Sequence, residues 1–203
     1  MAAKPASRRQ PKPSAGKILT AALDLAEQDG WATIRMMHIA KKLGVGLADI
    51  HRHHNDMDAI ANAWFDQAFA ALLASPPAGF TKRSPADRLS IVITRWLDAL
   101  AAHRRVSAQM LGQKLYLSHP QHWGPMVFSL SRLVHGILDA AGIDSHRRQR
   151  QVEELGTTFI VLATLRMWCK DDSEDQERTK AFLRTRLAQG DRVMARLFGG
   201  SSG

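Results

Sequence analysis

A glycine turn between two short helical patterns is the feature that most constrains how this chain can fold. The segment MMHIAKKLG, residues 36–44, places apolar residues at helical spacing, and a further helix begins near Leu47 after the turn Gly44-Val45-Gly46. Glycine ends a helix readily because it adopts the left-handed conformation without steric cost. Two short helices joined by a tight glycine-containing turn are typical of a helix-turn-helix motif. The sequence therefore predicts this motif here.

Helices are predicted on both sides of the motif. Apolar residues recur at helical spacing from Ile18, and the pattern stops at Gly30. A fourth helix is predicted over about residues 57–74, and the breaker SPPAG follows it. We therefore expect a first domain over residues 18–75.

The rest of the chain also predicts helices. Ser84, Pro85 and Asp87 form a clear helix start, with the serine as N-cap. Asp144 or Ser145, and later Asp172 or Ser173, are the expected caps of the last two helices. No segment alternates apolar and polar residues between turns, so the predicted fold class is all-α, with a second helical domain over 76–198. Its later helices are predicted near residues 105–117, 123–141, 146–169 and 174–197.

The net charge of +9 is concentrated at the start of the chain. Residues 1–17 contain five basic residues and no acidic one, whereas residues 18–60 have a net charge of −2. The mixture of Pro, Ser and basic residues predicts a flexible arm over 1–17. Such an arm either contacts phosphates or only increases solubility. A surface for anionic lipid is less supported, because no helix pairs a lysine-rich face with a strongly apolar one.

Several classes of protein are disfavoured. The apolar runs are too short to cross a bilayer and no secretory signal begins the chain, so we expect a cytoplasmic protein without membrane insertion. Cys169 has no partner for an internal disulfide and is interpreted as a core thiol. The sequence contains no glycine-rich phosphate loop and no nucleophile with a recognisable base, so neither an enzyme nor a cofactor is predicted.

The segment ILTAALDLAEQDGWATIRMMHIAKKLGVGLADIHRHHNDMDAI resembles the DNA-binding region of the TetR family of bacterial regulators, over about residues 17–62. The likeness is strongest in the pattern IA..LGV followed by I.RH. Gly46, His51, His54 and Met57 depart from the family pattern, which usually has Ser, Tyr, an aromatic residue and Lys there. The resemblance implies a homodimeric regulator that binds DNA through its third helix.

A recognition helix places hydrogen-bonding side chains at base edges, while basic groups around it contact phosphates. Asp49 would repel phosphate unless it accepts a hydrogen bond from cytosine or pairs with Arg52, three positions later. Alternatively, the motif is retained only for packing. The predicted DNA-binding residues are Arg8, Arg9, Lys12, Lys17, Arg35, Lys41, Lys42, Leu47, Asp49, His51, Arg52 and His53.

The histidines of this stretch raise the hypothesis of a zinc site. His51 and His54, three residues apart on the predicted helix, face the same side and Asp58 is one turn further, a spacing at which imidazole and carboxylate groups can ligate zinc. The TetR pattern has Tyr and an aromatic residue at the two histidine positions, so a ring at each satisfies the fold without an ion. No metal is predicted.

The second domain suggests a pocket and an interface. Helical bundles commonly enclose a mostly apolar cavity, although an apolar stripe is more often plain core. The predicted pocket residues for a small apolar ligand are Trp96, Met110, Leu111, Leu115, Trp123 and Met126. The last two helices of TetR-like proteins pair across a two-fold axis, which implies interface roles for Leu155, Phe159, Leu162, Phe182 and Leu187.

A second resemblance lies at the other end. The segment DDSEDQERTKAFLRTRL, within residues 166–197, resembles the ubiquinone-biosynthesis accessory proteins, which have a TetR-like fold but bind lipid. Our first interpretation is a repressor that binds a palindromic operator and is controlled by a small apolar ligand. The alternative is an isoprenoid- or quinone-binding accessory protein that has lost DNA binding.

Overall fold

The computed structural model describes residues 12–114, 123–144 and 147–198, without the side chains of 123–128 and 147. Within these ranges every regular element is a helix, which confirms the all-α prediction. Short 3₁₀ turns occur at Phe80–Lys82 and Glu174–Gln176. The helices are α1 (Ala15–Asp29), α2 (Met36–Leu43), α3 (Leu47–His51), α4 (Met57–Leu72), α5 (Pro85–Ala101), α6 (Arg104–Lys114), α7 (Trp123–Ala140), α8 (Arg147–Trp168) and α9 (Glu177–Phe198).

The chain divides into two compact units inside α4, between Asp66 and Gln67. The sequence predicts this boundary later, at the breaker after residue 75. The difference arises because the second half of α4 packs with the second unit. Phe69 lies so close to Gly136 of α7 that a Cβ atom there would overlap the phenylalanine ring. A breaker marks where a helix ends, but packing decides to which core the helix belongs.

The first unit is built on small and β-branched side chains. Ile18, Ala22, Ile39 and Ile50 have no solvent exposure and come from α1, α2 and α3. Ser14 caps α1, and its Oγ accepts a hydrogen bond from the Lys17 backbone N at 3.3 Å. Burial of these side chains holds the three helices in a fixed arrangement.

In the second unit α5 packs against α6, α7 and α9, and α8 packs against α7 and α9. Its core contains the fully buried Leu100, Ile137, Trp168 and Leu183. The predicted start of α5 is confirmed, because the Ser84 Oγ accepts from the Asp87 backbone N at 3.1 Å. This serine satisfies a backbone donor that the helix itself leaves without a partner.

A buried carboxylate organises the connection between α8 and α9. Asp171, 2% exposed, accepts from the backbone N and the Oγ of Ser173 at 2.9 and 2.6 Å. It also accepts from the backbone N and the Oγ1 of Thr179 at 2.8 and 2.6 Å. Burial disfavours the charged form, but these hydrogen bonds outweigh it and hold the pKa of Asp171 well below its ordinary value. Of the two expected caps, Ser173 accepts from the Arg178 backbone N, whereas Asp172 pairs with Arg178 at the surface.

Gln176 joins this connection to the core of the second unit. Its backbone has a positive φ of 59°, which is uncommon for a residue other than glycine. The Gln176 Oε1 accepts from the Trp168 Nε1, and its Nε2 donates to the Asp98 Oδ1 at 3.1 Å. These buried hydrogen bonds offset the cost of the left-handed backbone.

Candidate nucleic-acid interface

The turn of the helix-turn-helix has the geometry that the sequence predicts. Gly44 adopts the left-handed conformation, with φ of 65°, and its backbone N donates to the carbonyls of Ala40 and Lys41. The backbone N of Val45 also donates to the Ala40 carbonyl, at 3.0 Å. α3 then begins after Gly46, whose backbone N donates to the Asp49 Oδ2 at 3.0 Å. Backbone carbonyls at the end of α2 and the backbone N–H that precedes α3 therefore find hydrogen-bond partners within the motif itself.

The residues on and just after α3 include both buried and solvent-exposed side chains. Ile50 is fully buried and attaches the helix to its unit. Leu47, 45% exposed, and His51 are on the outer side of the helix, and Arg52 and His53 follow its end, also exposed. An exposed surface that carries a guanidinium, imidazoles and an apolar side chain can contact base edges, thymine methyl groups and phosphates.

The structure gives Asp49 a partner inside the chain. Its Oδ1 forms an ion pair with Arg52, while its Oδ2 caps the helix. Of the two roles left open by the sequence, pairing with Arg52 is the one observed. The carboxylate neutralises part of the positive charge and fixes the direction of the guanidinium, which retains further N–H groups for a ligand.

The basic residues on and before α2 differ in their availability. Lys41 is exposed. Lys42 pairs with Asp24 of α1, with 3.0 Å between Nζ and Oδ2. Arg35 is turned toward its own backbone, where its Nη1 donates to the carbonyls of Ala32 and Ile34 at 2.7 and 2.8 Å. These last two side chains therefore have some of their N–H donors already engaged within the chain.

The predicted arm is only partly described. Lys12 and Lys17 are exposed, and Lys17 lies in the first turn of α1. Arg8 and Arg9 lie outside the described residues.

His51 and His54 occupy different environments, contrary to the shared helix face considered for a zinc site. His51 is exposed, whereas His54 is only 7% exposed. The reason is that α3 ends at His51, so His54 follows in a turn and helical spacing no longer applies. Among the described residues, no group of three or more His, Cys, Asp or Glu side chains is placed to hold a metal ion.

The predicted ligand pocket is not formed as an open cavity by its described members. Trp96 and Met110 are 3% and 1% exposed and belong to the core, and Leu111 is partly exposed. Leu115 and the side chains of Trp123 and Met126 lie outside what the structure describes. Two surface clefts lie elsewhere in the second unit. A cleft of about 620 Å³ adjoins Phe69 and α7, and one of about 530 Å³ lies between α6 and the end of α8.

Cys169 is not a core thiol, because the residue is exposed just after the end of α8. Partial burial raises the pKa of its thiol above the ordinary value, and the positive charge of Arg104 opposes this increase. The basic cleft in which this cysteine lies is not predictable from local sequence pattern, since its residues come from two distant segments. Its lining residues are Arg104, Arg105, Ala108, Gln109, Cys169 and Lys170.

The predicted interface residues divide into exposed and buried members. On α8, Leu155 and Phe159 are 62% and 71% exposed. Leu162 and Phe182 are partly exposed. Leu187 is only 3% exposed because it packs inside its own chain, and its contact with a partner subunit stays a prediction. Two further large apolar residues, Val193 and Leu197, are exposed on α9.

None of the described helices combines the length and the apolar character needed to cross a membrane.

Comparison with known proteins supports the assignment that these features favour. No protein-family model matches the sequence, and no curated protein matches it. Solved structures do match. A TetR transcriptional regulator from Nitrosomonas europaea is 33% identical, with 88% of this chain and 98% of that one aligned and a TM-score of 0.76. A TetR regulator from Rhodococcus sp. RHA1 is 20% identical, with 86% and 93% aligned and a TM-score of 0.64.

The fold is shared by more distant proteins. Thermus thermophilus FadR, a TetR-family repressor, is 16% identical, with 89% of this chain and 93% of that one aligned and a TM-score of 0.55. The Nitrosomonas protein carries the family assignment, because the identity extends over nearly its whole length. This chain belongs to the TetR family of transcriptional regulators.

Proposed function

We propose that this regulator is a repressor that binds a palindromic operator as a homodimer and is controlled by a small apolar ligand. The exposed surface around α3 is the observation that carries the proposal. There, Asp49 holds the Arg52 guanidinium in place while Leu47 and His51 remain exposed. A side chain already oriented before binding loses less entropy when it contacts a base.

The homodimer is supported by the exposed apolar side chains of α8 and α9. Phe159 is 71% exposed and Leu197 is 60% exposed, on two helices that pack against each other. A contiguous exposed apolar surface is typical of an interaction site. A two-fold dimer repeats its recognition helices, so its operator would contain two inverted half-sites about 34 Å apart or a multiple of this.

Control by an apolar ligand is supported by a structural relative with a bound ligand. FadR of Thermus thermophilus, which shares this fold, was solved in complex with lauroyl-CoA. In the present chain Trp96 and Met110 are buried apolar side chains on α5 and α6. A ligand that binds one arrangement of these helices better would shift the population toward that arrangement and release the operator. The coupling is reciprocal, so operator DNA would weaken ligand binding by the same factor.

The alternative, a lipid-binding accessory protein of ubiquinone biosynthesis, is not favoured. The solved structures that match over most of the chain are transcriptional regulators. A catalytic role is likewise unsupported by these relatives.

The proposal is tested by fluorescence anisotropy with duplex DNA from upstream of the gene and a scrambled duplex, over a salt series. Phosphate contacts alone give equal and steeply salt-dependent binding to both duplexes. A specific site would be preferred by about 10³-fold or more. Equal binding across an array of genomic fragments would overturn the proposed regulator.

Arg52→Ala is expected to reduce the preference for the operator by roughly 10- to 100-fold, because one bidentate base contact contributes on the order of 1–3 kcal/mol. The variant keeps the Asp49 cap of α3, so the helix start is preserved. Lys82→Ala, which removes an exposed cation from the second unit, is the matched control and should leave the preference unchanged. If Arg52→Ala weakens binding to both duplexes equally, Arg52 contacts phosphate rather than a base.

A further inference from the structure

A basic cleft lies in the second unit, and none of its lining residues is among those predicted for DNA or for the apolar ligand. It lies between the first turns of α6 and the end of α8 and has a volume of about 530 Å³, within the range of small-molecule sites. On α6 its lining comes from Arg104, Arg105, Ala108 and Gln109, which share one face of the helix. Across from them are Cys169 and Lys170.

The positive charges of Arg104 and Lys170 are not neutralised by Asp171 and Asp172, the acidic residues that follow Lys170 in sequence. Asp171 is buried and accepts four hydrogen bonds from Ser173 and Thr179. Asp172 pairs with Arg178, with 2.7 Å between Oδ1 and Nη1. In the described part of the chain, neither Arg104 nor Lys170 has an acidic partner within ion-pair distance. Two cations without a counter-charge therefore face each other across a small cleft.

The arginine and lysine side chains of the cleft favour phosphate as the bound group. Guanidinium groups bind phosphate oxygens through paired hydrogen bonds, and a lysine ammonium adds a point charge. The first turn of α6 also offers the positive end of an 11-residue helix. A phosphate monoester carries close to two negative charges at neutral pH, which matches several cations better than a single carboxylate does.

We propose that the cleft between α6 and the end of α8 binds the phosphate group of a small molecule, held by Arg104, Arg105 and Lys170. Binding would connect two helices that belong to distant parts of the sequence. The test of this site needs neither DNA nor an apolar ligand, so its failure is distinguishable from a failure of the proposed function.

The single cysteine of the chain provides a reporter inside the cleft. The full-length protein is alkylated with iodoacetamide, and the modified fraction is followed by mass spectrometry. Inorganic phosphate is compared with sodium chloride at constant pH and ionic strength. If bound phosphate shields the thiol, alkylation should slow about threefold at a phosphate concentration of twice the dissociation constant. Glutathione, alkylated in parallel, controls for any direct effect of phosphate on the reagent.

The cationic character of the cleft is tested by the ratio of alkylation rates with anionic iodoacetate and neutral iodoacetamide. Both reagents attack the same thiolate, so the ratio does not depend on the thiolate fraction. Arg104→Gln is expected to lower this ratio and to abolish protection by phosphate. Arg132→Gln, which removes an arginine from the other cleft, is the matched control and should change neither.

The result that would overturn the site is equal alkylation in phosphate and chloride, or equal protection of the wild type and Arg104→Gln. A loss of thermal stability in Arg104→Gln without any phosphate effect would also overturn it, since the cations would then only complement the carbonyl end of α8.

Glycerol 3-phosphate distinguishes the two sources of the phosphate group. Protection at a lower concentration than inorganic phosphate supports an organic ester, and equal protection supports free phosphate. Stronger protection by duplex DNA would replace the proposal with a nucleic-acid contact.

Discussion

Asp171→Ala is expected to lower the free energy of unfolding by about 3 kcal/mol. The wild-type carboxylate is 2% exposed and accepts hydrogen bonds from both the backbone N and the hydroxyl groups of Ser173 and Thr179. Alanine removes the acceptor and leaves the buried Thr179 groups without it. Urea denaturation followed by circular dichroism measures the loss, and retained helicity at zero denaturant shows that the variant still folds.

Asp172→Ala is the matched control, because it removes the adjacent carboxylate from the surface. Its side chain is 82% exposed and pairs with Arg178, so the expected loss is below about 1 kcal/mol. Equal losses in the two variants would contradict the assigned role of Asp171.

The effect of Asp171 should depend on pH. Because folding lowers the pKa of this carboxyl, the unfolded state binds its proton first as the pH falls. The stabilisation is therefore complete above the ordinary carboxyl pKa and is lost as the pH falls through the folded pKa. The difference in stability between wild type and Asp171→Ala should be constant near neutrality and should shrink below about pH 4. A difference that grows on acidification would contradict this sign.

Phe159→Asp is expected to weaken the proposed homodimer by about 100-fold or more. Phe159 is the most exposed of the large apolar side chains that the structure describes on α8 and α9, at 71%. In a two-fold dimer the substitution occurs twice, and each copy places a charge where an apolar contact is lost. Sedimentation velocity should then report the mass of one chain, 22.5 kDa, at concentrations at which the wild type is a dimer.

Leu73→Asp is the matched control for this experiment. Leu73 is 53% exposed but lies just after α4, outside α8 and α9. It should leave the dimer intact, while Phe159→Asp should also reduce operator binding because a single chain can contact only one half-site. If the wild type sediments with the mass of one chain, the proposed homodimer is wrong. If Phe159→Asp remains a dimer, the interface does not include Phe159.

The sequence was sufficient where structure depends on neighbouring residues. Gly44 ends α2 in the left-handed conformation, and Ser84 caps α5 through a donor three residues away. Both act within one helical turn, so their effect is readable from local pattern. The family resemblance also rests on this region, and the structural relatives support it.

Other features required the tertiary structure, because they depend on which surfaces pack. The prediction that His51 and His54 share one face requires a helix that continues through both residues. α3 ends at His51, so the ring of His51 is exposed and that of His54 is buried. Helical spacing on α9 identified apolar residues but not which of them face inward, and Leu187 proved to be core. The boundary of the first domain moved into α4 for the same reason, since a long helix can contribute to two cores.

The sequence by itself determined the helices, the cap of α5, the glycine turn and the family to which the chain belongs. Only the tertiary structure decided that Gln176 bonds to Asp98 of α5, and that Arg104 and Lys170 share one cleft. Caps and turns are set by interactions over a few residues, whereas side chains distant in sequence meet only after the apolar faces of the helices have been buried.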